Sequence, residues 1–193
     1  MPRLLVTGCG RSGTAYTARV LQLHGLDIGH EQVGNDGTVD WHAASRLDDF
    51  ADYVVVHQVR HPLRAIASIT TLSAASWRFI ARHTAALANA ALLRRAASHW
   101  FMWNRLIEQR GYPIRRVEQL GNWLGELLAP FNIVPDVSKL MQVPITLNTR
   151  SGHYTKITWA SLEALDRKLC ARIYDKARQY GYTPWADTEG SNV

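Results

Sequence analysis

The sequence predicts an α/β fold of three layers, in which helices cover both faces of a central parallel sheet. Short apolar segments alternate along the chain with longer segments of helical periodicity. The strongest strand signal, Tyr53–Val59, is rich in β-branched apolar residues, as expected of a strand buried on both faces. A glycine-rich segment joins the first strand to the first helix, at the strand end where such folds bind ligands.

The first third of the chain contains most of the strand signals. Leu4–Thr7 is a short apolar run that ends in glycines, which predicts a buried strand. Thr14–His24 has the apolar spacing of a helix. Leu26–Gly29 predicts a second short strand, and Trp41–Phe50 predicts a short helix before the strand at Tyr53–Val59.

Helices dominate the remainder of the chain. Pro62 occupies the position of a first helical turn, so we expect a helix over Leu63–Leu72. Gly111 and Gly181 are placed to end later helices as C-terminal caps. The further predicted elements are an Ala-rich helix over Ser76–Gln109 with a break near Asn89, a strand at Tyr112–Val117, and helices at Glu118–Leu128 and Thr158–Tyr180.

Length and composition indicate one ordinary globular domain. The 193 residues predict a single domain over residues 1–186, followed by a flexible tail over residues 187–193. A chain of this length can bury a core without disulfides, and Cys9 and Cys170 lack metal-ligand spacing, which favours a reduced, cytoplasmic setting. We expect no membrane association, because the chain starts without a secretory leader and no apolar stretch approaches about 20 residues.

The net charge of +6 is compatible with two kinds of partner. Basic domains attract nucleic acid, and they also hold small polyanionic cofactors. The arginines are spread along the sequence and no basic run stands alone, so we expect no nucleic-acid partner.

The segment "LLVTGCGRSGTAY" predicts an anion-binding loop between a strand and a helix. Glycines let the backbone turn sharply and bring its amides close to an anion, and the helix dipole favours negative charge there. Arg11 adds a fixed positive charge, and two hydroxyls can donate hydrogen bonds. The predicted ligands for a phosphate or sulfate are Gly10, Arg11, Ser12, Gly13 and Thr14.

The domain is predicted to be P-loop-like, because Gly8 and Gly13 have the glycine spacing of the nucleotide triphosphatase loop. The loop differs from that motif in other positions. Thr14 and Ala15 stand where that motif has Lys and Ser or Thr. The strand Tyr53–Val59 is followed by Arg60 and not by an acidic metal ligand. We therefore expect the anion to be held without a metal.

A second anion site is predicted from "YVVVHQVRHPLRAIASI". Arg60 follows a buried strand, where its guanidinium could make charge-assisted bonds to a phosphate. Ser68 lies eight positions further, two turns along the predicted helix, and could offer a hydroxyl from the same side.

These two motifs together resemble those of the sulfotransferases that use 3′-phosphoadenosine 5′-phosphosulfate (PAPS). In that family a loop of the form Lys/Arg-Ser-Gly-Thr holds the 5′-phosphosulfate, and Arg11 to Thr14 match it. An Arg at the end of a later strand and a Ser eight residues beyond it grip the 3′-phosphate, as Arg60 and Ser68 would. The segment "YPIRRVEQLGNWLGELLAPFNI" resembles the strand and helix that follow, with Gln119 in place of the usual Asp. A partial match in "TRSGHY" places Arg150 over the 3′-phosphate.

The resemblance implies metal-independent, in-line transfer of a sulfuryl group from PAPS to a hydroxyl or amine of a small molecule or carbohydrate. The product would be adenosine 3′,5′-bisphosphate, and Arg11 would support the leaving phosphate. Glu31 is the predicted base that deprotonates the acceptor, with the adjacent His30 as the alternative. Asp40 and His42 could line the acceptor pocket, although Asp40 reads more simply as a helix cap.

Two other functions fit parts of the pattern. A nucleotide or small-molecule kinase would need a loop Lys and a carboxylate for magnesium, and the sequence shows neither in the expected places. A non-catalytic module that binds PAPS or nucleic acid would have the basic character without turning over an acceptor.

Overall fold

The computed structural model describes residues 2–84, 90–144 and 156–183, so Arg150 and the predicted tail over residues 187–193 lie outside the described residues. Its five strands form one parallel sheet in the order β2-β3-β1-β4-β5. This confirms the predicted α/β class. The strands are β1 (Leu4–Thr7), β2 (Ile28–His30), β3 (Gly37–Val39), β4 (Val54–Val59) and β5 (Ile114–Arg116).

Seven α-helices lie within the described ranges. They are α1 (Thr14–Leu23), α2 (Pro62–Ile69), α3 (Ala74–His83), α4 (Leu92–Glu108), α5 (Leu120–Leu128), α6 (Trp159–Leu165) and α7 (Arg167–Gln179). The predicted helix over Ser76–Gln109 is therefore two helices, and the expected break at Asn89 falls in a stretch outside the described residues. Across the described ranges, no helix combines the length and the apolar character that crossing a bilayer requires.

The chain divides into two compact units. The first comprises Met1–Arg60 and Asn104–Gly152, and the second comprises His61–Trp103 and His153–Val193. All five strands belong to the first unit. The single domain over residues 1–186 stays a prediction.

Helices cover both faces of the sheet within the first unit. On one face, α1 and α5 pack against β1 in an apolar core. On the other, the ring of His57 in β4 contacts the last turn of α4, where its Nε2 lies 3.0 Å from Oδ1 of Asn104. The apolar core includes Leu4, Val6, Leu21, Val39, Val56, Trp123, Leu124 and Leu127.

The predicted helix over Thr158–Tyr180 is wrong in one respect, because it is interrupted at Asp166. This residue is extended, with φ −164°, and its carboxylate accepts a hydrogen bond of 3.0 Å from the backbone amide of Leu169. The same carboxylate forms an ion pair with Arg94 at 2.8 Å. Asp166 therefore begins α7 as an N-cap, a role that competes with continuing the preceding helix.

The segment between β2 and β4 also differs from the prediction. β3 was not predicted, because only three residues form it and one is glycine. It is held by parallel pairing on both sides, to β2 and to β1. The predicted helix over Trp41–Phe50 is instead two 3₁₀ turns, His42–Ser45 and Leu47–Phe50.

Gly37 allows β3 to approach β1 closely, and we expect Gly37→Ala to unfold the first unit. Gly37 has φ +131°, and an added Cβ would overlap the carbonyl oxygen of Leu4. Because the backbones of Gly37 and Leu4 are paired in the sheet, they cannot move apart to relieve the clash. The free energy of unfolding should therefore fall by more than about 4 kcal/mol. Gly25→Ala is the control: Gly25 also has positive φ, at +89°, but nothing lies within 4 Å of the new Cβ. In Gly25→Ala, left-handed backbone strain alone should lower the free energy of unfolding by about 1–2 kcal/mol. Urea denaturation measures both variants, and equal losses would contradict the steric explanation.

Candidate functional site

The glycine loop, which we define as Gly8–Thr14, joins β1 to α1 in a left-handed turn. Arg11 and Gly13 have φ of 69° and 90°. The backbone amide of Ser12 donates to the carbonyl of Cys9 at 3.1 Å, which closes the turn. Gly10, also a predicted ligand, is buried within it. A non-glycine residue in this region is strained, and such strain is often found at functional sites.

The loop ends at the uncapped N-terminus of α1. The first helical hydrogen bond runs from the amide of Thr17 to the carbonyl of Gly13, at 3.1 Å. No side chain caps the helix, and its first turn contains no acidic residue. Its first amides and its dipole are therefore uncompensated by carboxylates of that turn, which is the usual setting for a bound anion.

Two hydroxyls of the loop are buried and together have one hydrogen-bond contact among the described residues. Ser12 is fully buried, and its Oγ has no hydrogen-bond partner in the part of the chain that the structure describes. Thr14 is 4% exposed, and its Oγ1 has one hydrogen-bond contact among the described residues, Nε2 of His30 at 3.0 Å. Buried polar groups are nearly always satisfied, so the hydroxyl of Ser12 points to a ligand with acceptor oxygens.

Gln58 in β4 holds the loop from the side of the sheet. Its Nε2 donates to the carbonyl of Ser12 at 2.9 Å, and its Oε1 accepts from the hydroxyl of Thr17 at 2.6 Å. The side chain is completely buried. One amide side chain thus connects the loop, the first turn of α1 and the neighbouring strand.

Arg60, the predicted phosphate ligand at the end of β4, also contacts the loop. Its Nη1 donates to the carbonyl of Arg11 at 3.1 Å, and the residue is half-buried. A guanidinium has five N–H donors, so this contact uses a fraction of its capacity. The structure therefore brings Arg11 and Arg60 together at one end of the sheet.

Cys9 contributes no negative charge to the loop. Burial is the main influence and raises the pKa of its thiol to about 12, although the side chain of Asn104 and the charge of Arg60 act in the opposite direction. The thiol is therefore neutral near pH 7 and would not repel an anion. Both Cys9 and Cys170 are free and buried.

The two candidate bases, His30 and Glu31, lie beside the loop. His30 ends β2, and its Nε2 is 3.5 Å from Oε1 of Glu31. The same Oε1 accepts a hydrogen bond of 2.9 Å from the indole Nε1 of Trp41. Glu31 has φ of 60°, and its side chain is 39% exposed, so its carboxylate is fixed in position while open to solvent.

Asp40 and His42 form a pair after β3. Oδ1 of Asp40 accepts from the backbone amide of His42 at 2.8 Å and lies 2.9 Å from its Nδ1. Arg46 is 3.8 Å from the other oxygen. Asp40 thus satisfies the turn that follows it, and it also places the ring proton of neutral His42 on Nδ1, so that Nε2 carries the lone pair.

The structure says less about the two remaining predicted ligands, Ser68 and Arg150. Ser68 lies in α2 in the second unit, where it is half-buried. Arg150 lies outside the described residues. Within the described ranges, no three His, Cys, Asp or Glu side chains are grouped so that they could hold a metal ion.

Two features of the site were not predicted from the sequence: the contacts of Gln58 with the loop, and the pairing of Asp40 with His42. Gln58 looked like one more residue of a buried strand, and a polar residue within "VVVHQV" is the signal that could have identified it. The pairing of Asp40 with His42 was considered only as a cap or pocket lining. Their i, i+2 spacing after a strand is a weak signal in the sequence, and it indicates a pair only once the structure shows the two side chains in contact.

We expect Gln58→Leu to destabilise the first unit and loosen the glycine loop. The substitution leaves the carbonyl of Ser12 and the hydroxyl of Thr17 buried without their partner, at about 1–3 kcal/mol for each group. The measurements are urea denaturation and amide hydrogen exchange of the loop. Gln22→Leu is the control, since the exposed Gln22 makes a comparable bond to the carbonyl of Ile28 at 2.8 Å. A loss for Gln58→Leu no larger than that of the control would contradict the bridging role.

Comparison with known proteins supports the fold independently. No family model matches the chain, and no curated protein sequence matches it. Among solved structures, it is similar to a sulfotransferase domain from the curacin biosynthetic pathway, with a TM-score of 0.52 and 14% sequence identity. The similarity covers 95% of this chain and 99% of that domain. The chain therefore has the α/β fold of a sulfotransferase domain.

Proposed function

We propose that this protein is a sulfotransferase that moves a sulfuryl group from PAPS to a hydroxyl or amine of a small-molecule or carbohydrate acceptor. The observation that carries the proposal is the glycine loop itself. Among the described residues, the buried hydroxyl of Ser12 has no hydrogen-bond partner and that of Thr14 contacts only Nε2 of His30, and both lie at a helix start without carboxylates. The sulfotransferase fold adds support, since it is the fold in which the sequence motifs were expected.

The residues of the loop fit the 5′-phosphosulfate of PAPS. Hydroxyls and backbone amides would donate to its oxygens, and the guanidinium of Arg11 would lie beside the phosphate that becomes the leaving group. When bound, PAPS would supply the activated sulfuryl group. Arg60 would hold the 3′-phosphate with the donors that its contact with Arg11 leaves available, together with Ser68 and Arg150 as the resemblance implies.

Glu31 is the base that we propose for the acceptor. Its Oε1 is engaged by Trp41, and its exposed side chain leaves Oε2 to receive a proton. A base must reach the proton that it removes, and an anchored but solvent-facing carboxylate meets that condition. His42, oriented by Asp40, is the second candidate, because an imidazole held in one tautomer is also a competent base.

Calorimetric titration with adenosine 3′,5′-bisphosphate in metal-free buffer tests the cofactor assignment. We expect the bisphosphate to bind and ATP with magnesium not to bind. Arg60→Ala should weaken the bisphosphate by roughly 10- to 100-fold, because charge-assisted hydrogen bonds contribute about 1.5–3 kcal/mol.

Two further variants serve as controls for Arg60→Ala. Arg19→Ala removes an exposed guanidinium of α1 and should leave affinity unchanged. Arg60→Lys keeps the charge and should lose less than the Ala variant. Preferential binding of ATP with magnesium would favour a kinase, and binding of the bisphosphate that Arg60→Ala does not alter would remove Arg60 from the site.

The identity of the base is tested by release of adenosine 3′,5′-bisphosphate from PAPS, with an acceptor found by screening phenols, alcohols and amines. Glu31→Gln should lower kcat by about 10²- to 10⁴-fold, the usual contribution of general base catalysis, while bisphosphate affinity stays the same. Glu126→Gln, which removes an exposed carboxylate that pairs with Arg115 on the sheet's far edge, should have no effect. If kcat survives Glu31→Gln and falls in His42→Gln, the base is His42. Turnover of no acceptor, despite bisphosphate binding, would indicate a non-catalytic PAPS-binding module.

A further inference from the structure

His30 is fixed between two oxygens of different hydrogen-bonding capacity. Its Nε2 is 3.0 Å from the hydroxyl of Thr14 and 3.5 Å from a carboxylate oxygen of Glu31. An ionised carboxylate can only accept a hydrogen bond, whereas a hydroxyl can donate or accept. Both contacts are favourable together only if Nε2 carries a hydrogen.

The hydrogen on Nε2 determines what the hydroxyl of Thr14 can do. If His30 donates to Oγ1, the single proton of that hydroxyl must point elsewhere. Thr14 is 4% exposed, and no described residue accepts that proton. Thr14 begins α1 two residues after Ser12, whose buried hydroxyl has no partner among the described residues, so both hydroxyls could donate to an anion bound at the loop.

We propose that His30 is a positioning residue of the anion site, which donates from Nε2 to Thr14 and thereby commits the Thr14 hydroxyl as a donor to the bound anion. This inference rests on the proposed function of the glycine loop and adds a group to it. It gives His30 a role on the cofactor side of the site, distinct from that of a base for the acceptor.

The proposed role has a consequence for pH dependence. In the absence of a ligand, burial is the main influence and lowers the pKa of His30 from its usual value of 6.5. A bound anion would oppose that shift by stabilising the imidazolium. The charged or titratable groups that face the ring are Glu31 and Asp40, which raise its pKa, and His42 and Arg11, which lower it.

The sign of the effect follows from linkage. Because anion binding would raise the pKa of His30, affinity should be greatest below the pKa of the ligand-free protein, which is under 6.5. Affinity should then fall as the pH rises through the pKa of the bound form. Each unit by which binding raises the pKa corresponds to a tenfold loss of affinity across that window.

Inorganic sulfate is the suitable probe, because it remains a dianion across this range whereas phosphate esters titrate near pH 6. Binding to the full chain would be followed by the amide NMR signals of the loop, at constant ionic strength from pH 5 to 8. Ring ¹⁵N signals would report the protonation of His30 with and without sulfate. We expect a hydrogen on Nε2 in the ligand-free protein, and a higher pKa for His30 when sulfate is bound.

Two substitutions separate the donor from the charge. His30→Gln keeps an N–H donor without titrating, so sulfate should bind with an affinity that varies little with pH. His30→Leu removes both the donor and the titrating group, so binding should weaken about tenfold above the pH window, the contribution of one hydrogen bond, and by more than that below it. If that variant does not fold, the ring signals of the unmodified protein still decide the matter.

The inference and the proposed function fail in different ways. A ligand-free ring with the proton on Nδ1 and none on Nε2 would overturn the inference. So would a His30 pKa that does not move while sulfate shifts the loop amides, or a pH profile that persists in His30→Gln. If neither sulfate nor adenosine 3′,5′-bisphosphate shifts the loop amides, the proposed function itself is overturned.

Discussion

The glycine loop depends on one buried side chain, the carboxamide of Gln58. It supplies a donor to the carbonyl of Ser12 and an acceptor for the hydroxyl of Thr17, and both bonds are sealed from water. Few other side chains can provide both functions from one position: a carboxylate lacks the donor, and an aliphatic residue lacks both. Because both bonds are made by groups of the protein itself, they fix the shape of the loop, and a fixed loop would lose little conformational freedom on binding an anion.

The charges around the loop also favour a bound anion. Arg60 uses one donor on the backbone carbonyl of Arg11, so its guanidinium is held beside the loop by a backbone contact. Cys9, in the middle of the loop, stays neutral because burial raises its pKa to about 12. The first turn of α1 has no acidic residue. An anion would therefore meet dipoles and cations without a nearby negative group inside the loop.

Local signals were sufficient to predict β1, the glycine loop, α1 and the strand before Arg60. Each has a composition that only one conformation suits: apolar β-branched runs for strands, and clustered glycines before a helical pattern. β3 could not be predicted in this way, since its three residues become a strand only through pairing with β1 and β2. At Asp166 one continuous helix was predicted where the structure has two, because apolar periodicity continues on both sides. It concealed the N-cap that the Asp166 carboxylate makes with the amide of Leu169. Gln58 was missed because its partners are 41 and 46 positions away in the sequence.

Two carboxylates near the loop differ in accessibility, and this difference is a reason to propose Glu31, and not Asp40, as the base. The side chain of Asp40 is 6% exposed, and its oxygens are taken by the amide and ring of His42 and by Arg46. Glu31, at 39% exposed, is anchored by the indole of Trp41 and a contact with His30. An incoming acceptor could reach Glu31 without breaking a buried network, whereas using Asp40 would release the ring that it orients. The sequence already favoured Glu31 as the base and Asp40 as a cap, and the surroundings of the two carboxylates support the same proposal.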